Sequence, residues 1–295
     1  MSAIKFIITV TVFSLAFGCQ SVADDAATSV ADAETYARFV PERKDDFAWE
    51  NDLIAFRAYG PASRDGAENA GIDCWLKRVP YPIINKWYDE SINQGKSYHT
   101  DHGEGLDNYH TGASAGCGGT AIWLDGQREP LETFTEWEIL KSSPERTVFA
   151  LTYENEIDGD VYKEVKEITI ELGQRLFKAN STFWKNGEPA AGLPIAIGLA
   201  THDGKASVSY DQSEGWAACW EILDGSGLGT GVIVNPDEVS EIVVIEPTGK
   251  DTGHVAIIAE TDSEGQITYY AGYGWEKAGA IKTSAAWENY LKTFL

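Results

Sequence analysis

The chain has 295 residues, 43% of them hydrophobic and 12% aromatic, and a formal charge of −23. That size and apolar content suit a substantial core, built as one large all-β domain or two ordinary ones. The charge excludes a broad nucleic-acid-binding face, because no basic footprint exists to neutralise phosphates, but it leaves room for a local Arg and Lys cluster around an acidic ligand.

Residues 1–18 read as a signal peptide: Lys5 gives a positive start, and FIITVTVFSLAFG is an apolar run too short for a membrane span. Cys19 follows Gly18 directly, which resembles a bacterial lipoprotein cleavage box and implies lipidation of Cys19. Gln20 behind it resembles outer-membrane sorting. Residues 19–37 are small and acidic, as expected of a tether. The expected location is outside the cytoplasm, as an outer-membrane lipoprotein or a periplasmic protein, with membrane contact only through the lipid. Residues 38–295 read as a single catalytic domain, without tandem repeats or an internal linker.

Leu53–Tyr59 predicts a strand with Ile54 and Phe56 toward the core and Arg57 on the polar face. DCWLKRVPYPIINKWYDES follows, where Lys77, Arg78 and Lys86 alternate with Trp75, Tyr81, Trp87 and Tyr88. Positive charge beside aromatic rings suits an acidic sugar, the rings stacking on pyranose faces and the cations pairing with the carboxylate. Pro80 and Pro82 argue against an interior strand there. Residues 98–119, YHTDHGEGLDNYHTGASAGCGG, hold three of the five histidines and six glycines. Such a density of groups costly to bury without partners marks a polar working site on tightly turned backbone.

Beyond it lies a succession of β signals. Ala121–Leu124 ends at Asp125-Gly126, TVFALTY and VYKEVKEITIEL alternate, and RLFKANSTFW, IAIGLA, ASVSYD, GWAACWEILDGSGLGTGVIV and EIVVIEP follow. VAIIAE and QITYYAGYGW read as the arms of a hairpin, and only the terminal TSAAWENYLKTFL reads as a helix, capped by Ser284 with Trp287 and Leu291 on one face. Many strands with Gly and Asp-Gly turns say all-β, an antiparallel β-sandwich with a short C-terminal helix. With Cys19 lipidated, Cys74, Cys117 and Cys219 allow at most one disulfide, and each reads most simply as a small buried hydrophobe.

For the chemistry, His99 and His102 are candidates for proton transfer near neutral pH, Tyr109 for a partner acid, and Glu221, in an otherwise apolar strand, for a second acidic catalyst. Arg57, Trp75, Lys77, Arg78, Trp87, Tyr88, Glu104, Asp107 and Trp275 are candidates for holding substrate. No cofactor is expected; the rival reading is a calcium or zinc ion on Asp101, His102, Glu104 and Asp107, although Gly103 and Gly105 break any calcium-loop pattern. His202 sits in an Asp-Gly turn and reads as solvated, and His254 either lines the cleft or caps the sheet.

PERKDDFAWENDLIAFRAYGP, DCWLKRVPYPIINKWY, the 98–119 stretch and ERTVFALTY together resemble the core blocks of the bacterial domain-of-unknown-function family 4861. The resemblance implies exported proteins of acidic-polysaccharide degradation systems, and a galactose-mutarotase-like super-sandwich. It transfers Arg57, Lys77, Arg78, His99, His102, Glu104 and Asp107 as site positions. The expected function is a lyase, by β-elimination or related dehydration, on uronate-containing saccharides such as ulvan, pectin or alginate fragments. The alternatives are an epimerase or mutarotase of an acidic sugar, a glycoside hydrolase, or a non-catalytic glycan-binding lipoprotein.

Overall fold

The computed structural model describes residues 33–295; the expected signal peptide, Cys19 and most of the tether lie outside the described residues. The strands are β1 (Tyr36–Val40), β2 (Asp46–Glu50), β3 (Ala55–Ala58), β4 (Ile72–Lys77), β5 (Gly105–Leu106), β6 (Cys117–Leu124), β7 (Gln127–Glu129), β8 (Glu136–Ser142), β9 (Arg146–Ile157) and β10 (Asp160–Glu171). They continue as β11 (Leu176–Lys185), β12 (Glu188–Pro189), β13 (Pro194–Ala200), β14 (Ser207–Asp211), β15 (Trp216–Leu223), β16 (Ser226–Val234), β17 (Val239–Ile245), β18 (His254–Glu260) and β19 (Gln266–Trp275). The α-helices among the described residues are α1 (Ile84–Gln94) and α2 (Ser284–Leu291), and neither is long and apolar enough to cross a membrane.

Four hairpins are written directly in the sequence. Asp125-Gly126, Asp158-Gly159, Asn186-Gly187 and Asp224-Gly225 each join paired strands through two residues, all at positive φ. That is the turn whose twist matches the strands it joins, and Asx-Gly is its preferred sequence.

Three of these hairpins lie in a nine-stranded sheet ordered β14-β15-β16-β19-β11-β10-β9-β8, with β12 beside β11, and the fourth, β6–β7, lies in a smaller sheet. Two five-stranded sheets, β1-β2-β3-β4-β5 and β17-β18-β13-β6-β7, pack on one face of the nine-stranded one. Phe177 of β11 faces both: it packs on Trp49 and Phe56 of one, and a Cβ added to Gly118 of the other would stand 3.5 Å from its ring. The two smaller sheets touch through a parallel bridge between Ile72 and Gly116, so they form one second layer. All-β and antiparallel is therefore what the strand pairings show.

On the outside of the large sheet, α2 buries Trp287 and Leu291 against Leu176, Trp216, Ala218 and Ile233. Thr283 rather than Ser284 caps it, its hydroxyl accepting from the Ala286 amide. Gly229 and Gly231 of β16 make room for this helix; a Cβ on Gly229 would stand 2.6 Å from the Trp287 ring.

Two further expectations change. β18 and β19 are not a hairpin, for β18 pairs with β13 and β17 while β19 pairs with β16 and β11, so residues 261–265 carry the chain between layers. The terminal helix has a companion, since Ile84–Gln94 is helical, ends at the left-handed Gly95 and buries Ile84, Trp87 and Tyr88. Cys74, Cys117 and Cys219 are all buried and free, as their reading as small buried hydrophobes expects.

Candidate active site

The site grows from the outer face of the first five-stranded sheet. In β2, β3 and β4 the alternate residues Phe47, Trp49, Phe56, Cys74 and Leu76 enter the sandwich core. The residues between them, Asp46, Glu50, Arg57, Asp73 and Lys77, are equally buried but face the other way. Buried charges need partners, and here they form two sets. Lys77 bonds Glu50 at 2.6 Å and the carbonyls of Asn51 and Tyr81. Glu50 in turn accepts from the Ile83 and Ile84 amides, and so caps α1 from a distant strand. Between the two sets Trp75 stacks on Trp87 and lies 5.3 Å from the Arg57 guanidinium.

The second set is the site. Arg57 stands opposite Asp73 in the β3–β4 ladder, and its Nη2 donates to Asp73 at 2.5 Å and to Asp107 at 3.2 Å. Asp46 lies 4.0 Å from its Nε and also holds Arg43 at 3.1 Å. Burial raises the Asp107 carboxyl to about 6 against the opposing charge of Arg57. Burial, joined by the charge of Asp107, raises Asp73 well above the usual carboxylate range, and burial raises Asp46 too. The cluster thus holds a proton more readily than three free carboxylates would.

His99 sits over Asp107. Its Nδ1 is 2.8 Å from the Asp107 carbonyl oxygen and 3.6 Å from Oδ2. A carbonyl only accepts, so Nδ1 carries the proton and Nε2 keeps a free lone pair on a side chain that is 60% exposed. Arg57, Asp107 and His99 line a chamber of about 420 Å³ with Arg43, Glu68 and His110. A second chamber of about 560 Å³ adjoins it, sharing Arg43, Glu68 and His110 and continuing to Lys44, Gly112 and Asp251.

The wall carrying His110 is fixed from behind. His202 is buried rather than solvated: Nδ1 meets Glu221 at 2.6 Å, and Nε2 meets the His110 carbonyl at 2.7 Å. Burial opposes charge on this ring, but Glu221 and the His110 carbonyl prevail and raise its pKa. With acceptors at both nitrogens it is the imidazolium that fits. Glu221, expected as an acidic catalyst, is thus the partner of His202.

Other expected site residues are engaged elsewhere. His102 lies outside both chambers, its Nε2 on the Ser97 carbonyl, so the 98–119 stretch does not bring it together with His99. The Tyr109 ring borders the smaller chamber, but its buried hydroxyl has no partner; burial and then the nearby Cys74 and Cys117 raise its pKa. Trp75, Trp87, Tyr88 and Trp275 are core residues with no face open for stacking a sugar. Arg78 binds Asp101 at 2.7 Å, and Glu104 accepts from Lys86, Tyr81 and Trp87. The four oxygen and nitrogen donors considered for a metal therefore go to separate partners, and among the described residues no group of three or more such ligands converges. His254 is buried with neither ring nitrogen bonded; burial, then the charge of Arg128, lowers its pKa to about 3.

Asp46, Asp73, Arg43 and His110 are the participants the sequence reading passed over. For the two aspartates the signal was present: each is an acid at an alternate position of a strand otherwise rich in apolar and aromatic residues.

The family model of DUF4861, a domain of unknown function, matches residues 17–295, and the chain belongs to that family. It is 34% identical over 269 residues to "Uncharacterized protein P7" of Formosa agariphila, a match that covers 88% of this chain and 66% of that protein. The chain thus spans just under two thirds of the length of that relative. Among solved structures it is similar to a putative aldose 1-epimerase from Klebsiella pneumoniae, at 9% identity and TM-score 0.41, covering 88% of this chain and 86% of that one. It is also similar to the GH36 α-galactosidase AgaB from Geobacillus stearothermophilus, at 8% identity and TM-score 0.39, covering 81% and 41%.

Proposed function

We propose that this member of the DUF4861 family is an exported enzyme that performs general acid–base chemistry on a uronate-bearing saccharide, as a lyase. The observation that carries the reading is the His99–Asp107–Arg57 arrangement: a histidine with one nitrogen committed and one free, above a buried arginine. The N-terminal sequence supports export.

The sugar carboxylate is held by Arg57 in the floor and Arg43 in the wall. Nε2 of His99 takes the proton from C5, and the resulting charge spreads onto the carboxylate, where the two guanidinium groups stabilise it. The electron pair then forms the C4–C5 double bond as the C4–O bond breaks, and His110, bordering both chambers, protonates the departing oxygen. The Asp107 carboxylate, 3.6 Å from Nδ1, stabilises the imidazolium that His99 becomes. Two imidazoles on one chamber also suit a second reading, an epimerase that removes the C5 proton and returns it to the opposite face.

Oligosaccharides from pectin, ulvan and alginate separate these outcomes. Elimination gives a product absorbing in the ultraviolet through its new double bond, and epimerisation gives solvent deuterium at C5 without that absorbance. His99→Ala is expected to lose at least ~100-fold in rate, the usual contribution of a positioned base, while His102→Ala stays close to wild type. If His102→Ala is the crippled variant, or no acidic saccharide yields either product, the proposal fails.

A further inference from the structure

The larger chamber remains unused by the chemistry above. We infer that it is a second subsite, binding an anionic group, carboxylate or sulfate ester, on the sugar unit next to the reacting one. The substrate is then an acidic oligosaccharide with at least two charged units. This inference rests on the acid–base reading of the smaller chamber and deepens it.

Volume is the first reason. Chambers of about 420 and 560 Å³ each fall in the range of a complete small-ligand site, so one uronate cannot fill both. The two share Arg43, Glu68 and His110, so a chain passes from one to the other along a continuous wall. Between the charges the larger chamber is lined by small residues, Gly66, Ala67, Gly112 and Ala113, which leave space for a sugar ring.

Charge is the second reason. In a chain of net −23, this chamber is lined by three cations, Arg43, Lys44 and Lys250, against two carboxylates, Glu68 and Asp251. Among the described residues Lys44 has no carboxylate within ion-pair distance, and Lys250 has only Asp251 at 3.7 Å. An anion at this end would meet ammonium groups that have little else to bind.

The backbone is the third reason. Lys44 at φ 51° and Asp251 at φ 57° are left-handed without being glycine, and unlike the Asx-Gly hairpins neither is followed by one. Such conformations persist only where their surroundings impose them. Gly60 presses so closely on the Lys44–Asp45 backbone that a Cβ there would lie 1.7 Å from the Asp45 carbonyl oxygen. The Asp251 amide is held by Asp203 at 2.7 Å, in the same turn as His202. Both walls are fixed in place before a ligand arrives.

Calorimetric titration of the full chain with galacturonate, trigalacturonate and a sulfated ulvan oligosaccharide tests this. The longer saccharides are expected to bind more tightly than the monomer. The double variant Lys44→Gln, Lys250→Gln is expected to weaken their binding about tenfold more than it weakens the monomer's, the scale of two solvent-facing ion pairs. Arg57→Lys should weaken monomer and oligomer alike. An advantage with trigalacturonate alone identifies the second anion as carboxylate, and with the ulvan fragment alone as sulfate. A length advantage that survives in the double variant, with Arg57 still required, overturns the second subsite and leaves the acid–base reading standing. No dependence on Arg57, or no binding of any of the three, overturns both.

Discussion

A histidine works as a base near neutrality only when one ring nitrogen is reserved for the incoming proton, and at His99 the Asp107 carbonyl makes that reservation. The Asp107 carboxylate beneath it gives a pH dependence with a definite sign. Its pKa in the folded protein is raised from 3.8 to about 6, chiefly by burial. A raised carboxyl pKa contributes stability that is full below 3.8 and lost as pH rises through about 6. Catalysis needs the opposite form, the anion that supports the His99 imidazolium. Activity is therefore expected to fall as pH drops through about 6, over the window in which this group's contribution to stability grows. Asp107→Asn should flatten that segment of the melting-temperature profile and lower the rate; an unchanged acid limb in Asp107→Asn would remove Asp107 from the mechanism. His99 and Asp107 were legible in the sequence because they are polar groups crowded into one short stretch, and Arg57 because it is the charged residue of an otherwise apolar strand. Asp46 and Asp73 were harder to place because each shares its short strand with another buried charge, Glu50 or Lys77, and only the sheet sets both aspartates beside Arg57.

Elements were legible where their signals are local and obscure where a distant residue completes them. Asp-Gly and Asn-Gly at four hairpins needed nothing beyond the turn itself. The helix α1 has no side-chain cap of its own, and its first amides are satisfied by Glu50, which lies more than thirty residues earlier. The connection after β18 resembles a hairpin turn because its Asp262 caps local amides as a hairpin turn would, yet the next strand belongs to the other layer. At β16 the local and the distant meet. Gly229 looks like a weak strand residue, but it is the hole into which the fully buried Trp287 fits. Trp287 is held there by its Nε1 bond to the Thr230 carbonyl at 2.9 Å, so it cannot swing away from a new methyl group. Gly229→Ala is expected to destabilise the protein by about 1–3 kcal/mol, the usual cost of overpacking. In a Trp287→Ala background the same change should cost much less, as a double-mutant cycle in urea would show. Equal costs in both backgrounds would mean that the glycine serves the strand and not the helix.

At the scale of the whole molecule, composition and site pull in opposite directions. The chain carries −23 overall, yet the cleft gathers Arg43, Arg57, Lys44 and Lys250. Which field an acidic saccharide feels depends on distance. At 0.01 M salt the screening length is about 30 Å, so an approaching anion is repelled by the charge of the whole protein; at 0.15 M it is about 8 Å, and only the cleft remains in range. The contacts made once the ligand is seated on Arg57 are partly buried and screened much less. The value of kcat/KM for a multiply charged oligosaccharide is therefore expected to rise between these two ionic strengths, through faster association, and to rise more for a longer, more highly charged chain. A neutral saccharide of the same length should show no such rise. If kcat/KM instead falls steadily from the lowest salt upward, the local cations outweigh the net charge even at long range, and the cleft steers its substrate in from solution.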